Sequence, residues 1–136
     1  MIDEAYIDGA VAVWRGWPHM GIGIVLGPSI RISESLDFSH STKKVDNNRA
    51  EYAALLFLLN YALRIGRRAL KVHSDSEIVV KQIRGEYKCK SNLRGIYSTC
   101  RDRVQEFEYF EIVHIPRGKN NDADALAKNA LRNRAR

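Results

Sequence analysis

The sequence predicts an α/β fold, a five-stranded mixed sheet flanked by helices, with its first three strands antiparallel. Three observations predict it. The first 38 residues hold three extended, largely apolar segments separated by Gly- and Pro-bearing turns. A long apolar run at helical spacing follows. Beyond it strand and helix patterns alternate, in the order strand, helix, helix, strand, helix, which calls for crossover connections in one sheet.

Residues 6–13 read as the first strand, with Gly9 and small alanines inside it and Asp8 at its middle. An Asp is disfavoured in a strand and costly to bury alone, so this residue is the hardest to explain by structure. Residues 14–20, with Gly16 and Pro18, are expected to turn. Residues 21–26 form a short apolar strand, Gly27-Pro28 turns the chain again, and residues 30–38 make a third strand with partial alternation.

The stretch from Val45 to Gly66 organises the chain. Leu55, Leu56, Leu58, Leu59, Ala62, Leu63 and Ile65 recur at helical spacing and leave Asn60 and Arg64 as a narrow polar strip. So apolar a helix belongs at the centre of a domain. Glu51 lies off the polar strip and shares a face with Leu55, Leu58 and Ala62, so its carboxylate points inward. Two explanations compete. Asn48 and Glu51 form a capping box, or the inward carboxylate serves a partner such as a metal ion.

Residues 68–74 are a fourth strand ending at Asp75. Residues 76–84 are rich in β-branched types, yet Val79, Val80 and Ile83 fall on one helical face, Ser74 or Asp75 can cap, and Gly85 ends the segment, so we read helix. A basic link over 86–91 precedes a helix at 93–107, with Ile96, Tyr97, Cys100, Val104 and Phe107 as its buried stripe. Residues 109–115 are a fifth strand, 116–120 a loop, and 121–134 a last helix with Leu126, Ala127, Ala130 and Leu131 inside.

With 136 residues, 45% of them apolar and 28% charged, the chain reads as one soluble domain over 1–136. No run is long enough to span a membrane and the N-terminus is not signal-like, so a cytoplasmic location is expected. Cys89 and Cys100 match no metal-binding or redox spacing, and free thiols are the default. His19, His40 and His73 indicate no site. The net charge of +6 is uneven: residues 62–103 hold eleven Lys or Arg against four acids, and residues 1–61 hold five against seven. A basic segment beside an acidic one suits a protein that holds a polyanion and cuts it with carboxylate-bound metal, although a solubilising surface would look similar.

Four acids stand where they could converge: Asp8 in the first strand, Glu51 in the first turn of the central helix, Asp75 at the end of the fourth strand and Asp124 in the first turn of the last helix. Asp75 could be a plain N-cap, and Asn121 with Asp124 repeats the capping pattern of Asn48 with Glu51. Capping leaves Asp8 unexplained. Phosphodiester hydrolysis uses such a set, because two Mg²⁺ ions about 3.5–4 Å apart, held by oxygen ligands, can activate water and stabilise the leaving oxygen.

The segments YIDGA around Asp8, NNRAEY around Glu51, HSDSEIVVKQI around Asp75 and NNDADALAKNA around Asp124 resemble type 1 ribonuclease H, in order and spacing along essentially the whole chain. The resemblance implies a ribonuclease H-like fold and endonucleolytic cleavage of the RNA strand of an RNA/DNA hybrid, with two Mg²⁺ (or Mn²⁺) ions per site and 5′-phosphate products. It implies that Asp8, Glu51, Asp75 and Asp124 are the catalytic, metal-binding acids, with Asp8 nearest both ions. It further implies that Asn47 and Asn48 reach the minor groove, turn and capping chemistry being the alternative, and that Gly9 lets a backbone amide approach an RNA 2′-hydroxyl.

Two departures from the family pattern stand out. The loop PRGKNN lacks the histidine that many relatives carry, His114 lying back in the strand, so Arg117 or Lys119 is expected to help product leave. The 86–92 link is too short for the extra basic helix of some relatives, and Lys88, Lys90, Arg94 and the Arg-rich tail are expected to grip substrate instead, with Lys90 the substrate-binding choice. The expected partner is RNA/DNA hybrid, with double-stranded RNA as a wider class to test, no membrane and no obligate protein partner. Two other readings stay open: a binding module that does not cut, and a nuclease on the same fold acting on double-stranded RNA or DNA junctions.

Overall fold

The computed structural model describes residues 1–37, 46–89 and 92–135. The elements run β1 (Asp3–Trp14), β2 (Trp17–Leu26), β3 (Ile30–Asp37), α1 (Asn47–Arg64), β4 (Ala69–Ser74), α2 (Glu77–Ile83), α3 (Arg94–Val104), β5 (Tyr109–His114), a 3₁₀ turn (Arg117–Lys119) and α4 (Asn121–Ala135). They form one five-stranded sheet in the order β3-β2-β1-β4-β5. The β1–β2 and β2–β3 pairs are antiparallel, and β1–β4 and β4–β5 are parallel. The expected mixed sheet with an antiparallel first half is what forms. Phe38, His40, Val45 and Lys90 lie outside the described residues.

The expected turn over 14–20 is instead a tight hairpin. Trp14 pairs with Trp17, and only Arg15 and Gly16 lie between them, both at positive φ (53° and 76°). A two-residue loop of that hand continues the strand twist. Pro18 is no obstacle, because β2 begins to pair with β3 only at His19.

Alternation along the strands assigns the faces. Ala5, Ile7, Ile22, Ile24, Leu70, Val72 and Ile112 are buried on one face, under α1 with its Tyr52, Leu55, Leu58, Leu59 and Ala62. Each Val, Leu or Ile side chain among them contributes roughly 1.5–3 kcal/mol by leaving water. The helix approaches closely because residue 9 is glycine: a Cβ there would overlap the backbone of Ala50 and lie 2.7 Å from Glu51 N. α4 covers the opposite face, where Cβ atoms at Gly21 and Gly23 would overlap the carbonyls of Ala127 and Ala123. Small residues on both partners set this contact, and Leu126 and Leu131, expected inside, are only half buried. Beneath α1, the Tyr52 hydroxyl donates to Gln82 Oε1 at 2.5 Å, tying α1 to α2. Cys89 and Cys100 form no disulfide with each other, and burial pushes Cys100 up to about 12.

Candidate metal and nucleic-acid site

The register of the two central parallel strands builds the site. Ile7 pairs with Ser74 in the last pair between β1 and β4. Asp8 and Asp75 are the next residues of each strand, so the two carboxylates leave the sheet side by side, at the carboxyl end of β4 where α/β folds place their sites. Beyond this point β4 turns into α2 while β1 continues. The gap admits Glu51 from the other face of the sheet, where its Oε1 accepts the Gly9 N–H at 2.5 Å. Oxygens of Asp8, Glu51 and Asp75 all lie within 4.8 Å of one another. Asp8 and Glu51 are both buried, at 6% exposure each.

The capping explanations fail one by one. Asp46, not Asn48, caps α1, accepting from the Arg49 N–H at 3.0 Å. Ser76, rather than Ser74 or Asp75, caps α2 through the Val79 N–H at 3.3 Å. At α4 the Asp124 N–H donates to the Asn120 carbonyl at 3.0 Å, so Asn120, not Asn121, precedes the helix. Glu51 and Asp75 are thus free of the helix starts they were suspected of serving.

Electrostatics set the character of this cluster. Burial first, then the neighbouring acids, push Glu51 far above the ordinary carboxylate range, and the Gly9 N–H offsets only part of that. Asp8 is raised chiefly by burial, with Asp124 and Asp75 adding to it and Glu51 opposing. Glu51 Oε2 is buried without a hydrogen-bond partner. Packed carboxylates with an orphaned oxygen lack positive charge, and an all-oxygen donor set suits Mg²⁺ or Mn²⁺. The residues present therefore fit a divalent ion.

Asp8, Gly9, Asn47, Asn48, Glu51, Asp75, Arg117 and Asp124 all line a single cleft of about 550 Å³. Asp124 is not one of the trio but lies beside Asp8, and its Oδ2 is held by Lys128 Nζ at 3.0 Å one helical turn on. Lys128 also lines the cleft and was missed in the sequence, although its i+4 spacing from Asp124 was there to be read. The Reverse transcriptase-like family model matches residues 31–130. Ribonuclease HI of Halobacterium salinarum is 34% identical over 129 residues, 94% of this chain and 63% of that protein. The crystal structure of RNase H1 from the same archaeon superposes with a TM-score of 0.82 at 30% identity, over 98% of this chain and 99% of that one.

The chain belongs to the ribonuclease H family.

LC11 ribonuclease H1, solved in complex with an RNA/DNA hybrid, is similar at TM-score 0.81 and 29% identity, over 98% and 99% of the two chains. A bifunctional protein of Mycobacterium tuberculosis is 29% identical over 86% of this chain but only 33% of its own length. The chain thus spans under two thirds of these two curated relatives. The Gly9 N–H is donated to Glu51, and the lack of a side chain at residue 9 lets α1 approach closely. Lys119 lines a separate hollow beside Tyr6 and Val25, and of the two loop cations Arg117 faces the cleft. Lys88 lines a second hollow that shares Asn48 and Ile78 with the cleft, whereas Lys90 falls outside the described residues.

Proposed function

We propose that this chain is a metal-dependent endonuclease that hydrolyses the RNA strand of RNA/DNA hybrids, using two Mg²⁺ or Mn²⁺ ions. The observation that carries the reading is the trio Asp8, Glu51 and Asp75, with oxygens within 4.8 Å, in a cleft shared with Asp124. Asp8, Glu51, Asp75 and Asp124 would hold the ions, which supply an activated water and charge stabilisation of the leaving oxygen. The Gly9 N–H keeps Glu51 turned toward Asp8. Asn47, exposed at the start of α1, and half-buried Asn48 offer amides to the sugar edge of the minor groove, where a 2′-hydroxyl distinguishes RNA. Arg117, exposed at the cleft, attracts the phosphate and assists departure of the product. Lys88 and Arg94, both exposed, take part of the duplex charge, and Lys90 is assigned with them on sequence grounds.

Two features of the relatives support this reading: the ribonuclease HI name of the halobacterial protein and the hybrid bound to LC11 ribonuclease H1. The test is cleavage of end-labelled RNA/DNA hybrid with and without Mg²⁺, beside all-DNA and all-RNA duplexes, with Asp8→Asn as control. Hybrid cutting that needs metal and disappears in the variant is expected. Binding without cutting in every divalent metal would overturn the proposal, and cutting of the RNA duplex would widen the substrate class.

A further inference from the structure

We infer that Asn120 is a positioning residue for the metal site: its side-chain amide clamps Asp75 to the first strand and so sets the spacing between Asp75 and Asp8. Asn120 is 1% exposed. Its Nδ2 donates to the Ile7 carbonyl at 2.8 Å and to Asp75 Oδ2 at 3.2 Å. Both partners are acceptors, so the amide can face them only with its nitrogen. One NH₂ group, with one hydrogen for each partner, therefore measures the gap between the backbone beside Asp8 and the carboxylate of Asp75. With one Asp75 oxygen held by the amide, the carboxylate is oriented as a whole, and it cannot swing away from Asp8.

The main chain of Asn120 fixes the clamp from behind. Its N–H donates to the Arg117 carbonyl at 3.0 Å, and its carbonyl accepts from the Asp124 N–H at 3.0 Å. One residue thus joins the strand bearing Asp8, the end of the strand bearing Asp75, the helix bearing Asp124 and the turn bearing Arg117. The arrangement carries a cost, because Asn120 Oδ1 is buried without a hydrogen-bond partner. An apolar side chain of similar size would avoid that cost and still fill the space. What it could not supply is the hydrogen bond to Asp75.

The inference rests on the metal-holding reading of the acids, and the experiment separates the two. Mn²⁺ affinity is measured by titration calorimetry, without substrate, for the wild type, Asn120→Ala, Asn120→Leu and Ala130→Gly. The last loosens α4 at a buried position in its second half, away from Asp75 and Asp124, and serves as the control for loss of packing. Both Asn120 variants are expected to weaken Mn²⁺ binding by about tenfold or more, the scale on which residues that orient ligands act. Asn120→Leu fills the space, so it remains informative if the alanine variant fails to fold. Ala130→Gly is expected to lower the melting temperature and leave Mn²⁺ affinity within about twofold. Asn120 variants that bind Mn²⁺ as the wild type does would overturn the inference alone, as would an equal loss in Ala130→Gly. No Mn²⁺ binding by the wild type would overturn the metal-holding reading, and the inference with it.

Discussion

Glu51 carries the sharpest consequence at the scale of single residues. It and Asp8 both titrate above their unfolded values, with burial as the leading cause. An acid raised in the folded state stabilises the fold below its unfolded pKa and loses that contribution as pH climbs through the folded one. The metal-free protein should therefore become less stable from about pH 4 upward as far as these two groups decide it, with Asp75, Asp124, Lys128 and Arg117 as the charges around them. Urea unfolding across pH 4–9 should show a shallower decline in Glu51→Gln, which keeps an acceptor for the Gly9 N–H but cannot ionise. Mg²⁺ should stabilise the wild type more at pH 8 than at pH 5. A parallel pair of pH curves would refute the assignment. Legibility at this scale was uneven. Asp8 stood out because nothing local explains an acid inside an apolar strand. Asn120 did not, since its work is done by hydrogen bonds to residues 45 and 113 positions away.

At the scale of elements, the glycines of β2 let α4 lie against the sheet. A Cβ at Gly23 would overlap the Ala123 carbonyl and stand 2.6 Å from Ala127 N, backbone that cannot yield without moving the helix. Gly23→Ala should cost about 1–3 kcal/mol by overpacking. It should also lower hybrid cleavage, because α4 bears Asp124, and chemical denaturation beside a cleavage assay would test both. Wild-type stability in this variant would mean that α4 shifts freely. Most elements could be read from periodicity, including α2, where one helical face outweighed its β-branched content. Their ends could not. Asp46 and Ser76 cap helices assigned to other residues, because several neighbouring polar side chains can fill one cap and only the backbone geometry chooses among them. The strands ran longer than expected at β1 and β2, since pairing carries through His19 and Pro18 where local composition reads as a turn.

For the whole molecule, the net charge of +6 predicts how hybrid is held. Affinity should fall by about tenfold or more between 50 and 200 mM salt, and replacing Lys88 and Arg94 with Ala should reduce the salt slope by about one for each phosphate that is no longer neutralised. Filter binding with the Asp8→Asn variant would measure it, and a flat salt response would rule out the proposed grip. Among the described residues no helix is long and apolar enough to cross a membrane. The clamp between Asn120 and Ile7 spans 113 positions of sequence, nearly the length of the chain. Loops of that size close late, after the local helices and hairpins have formed. During synthesis the first acid must therefore wait for α4, and a ribosome-bound chain that ends before residue 120 carries the antiparallel half of the sheet without a finished site. Cutting power would arrive only once residues 120 to 124 have been made and have left the ribosome, so a product aborted before them would be harmless to the RNA around it.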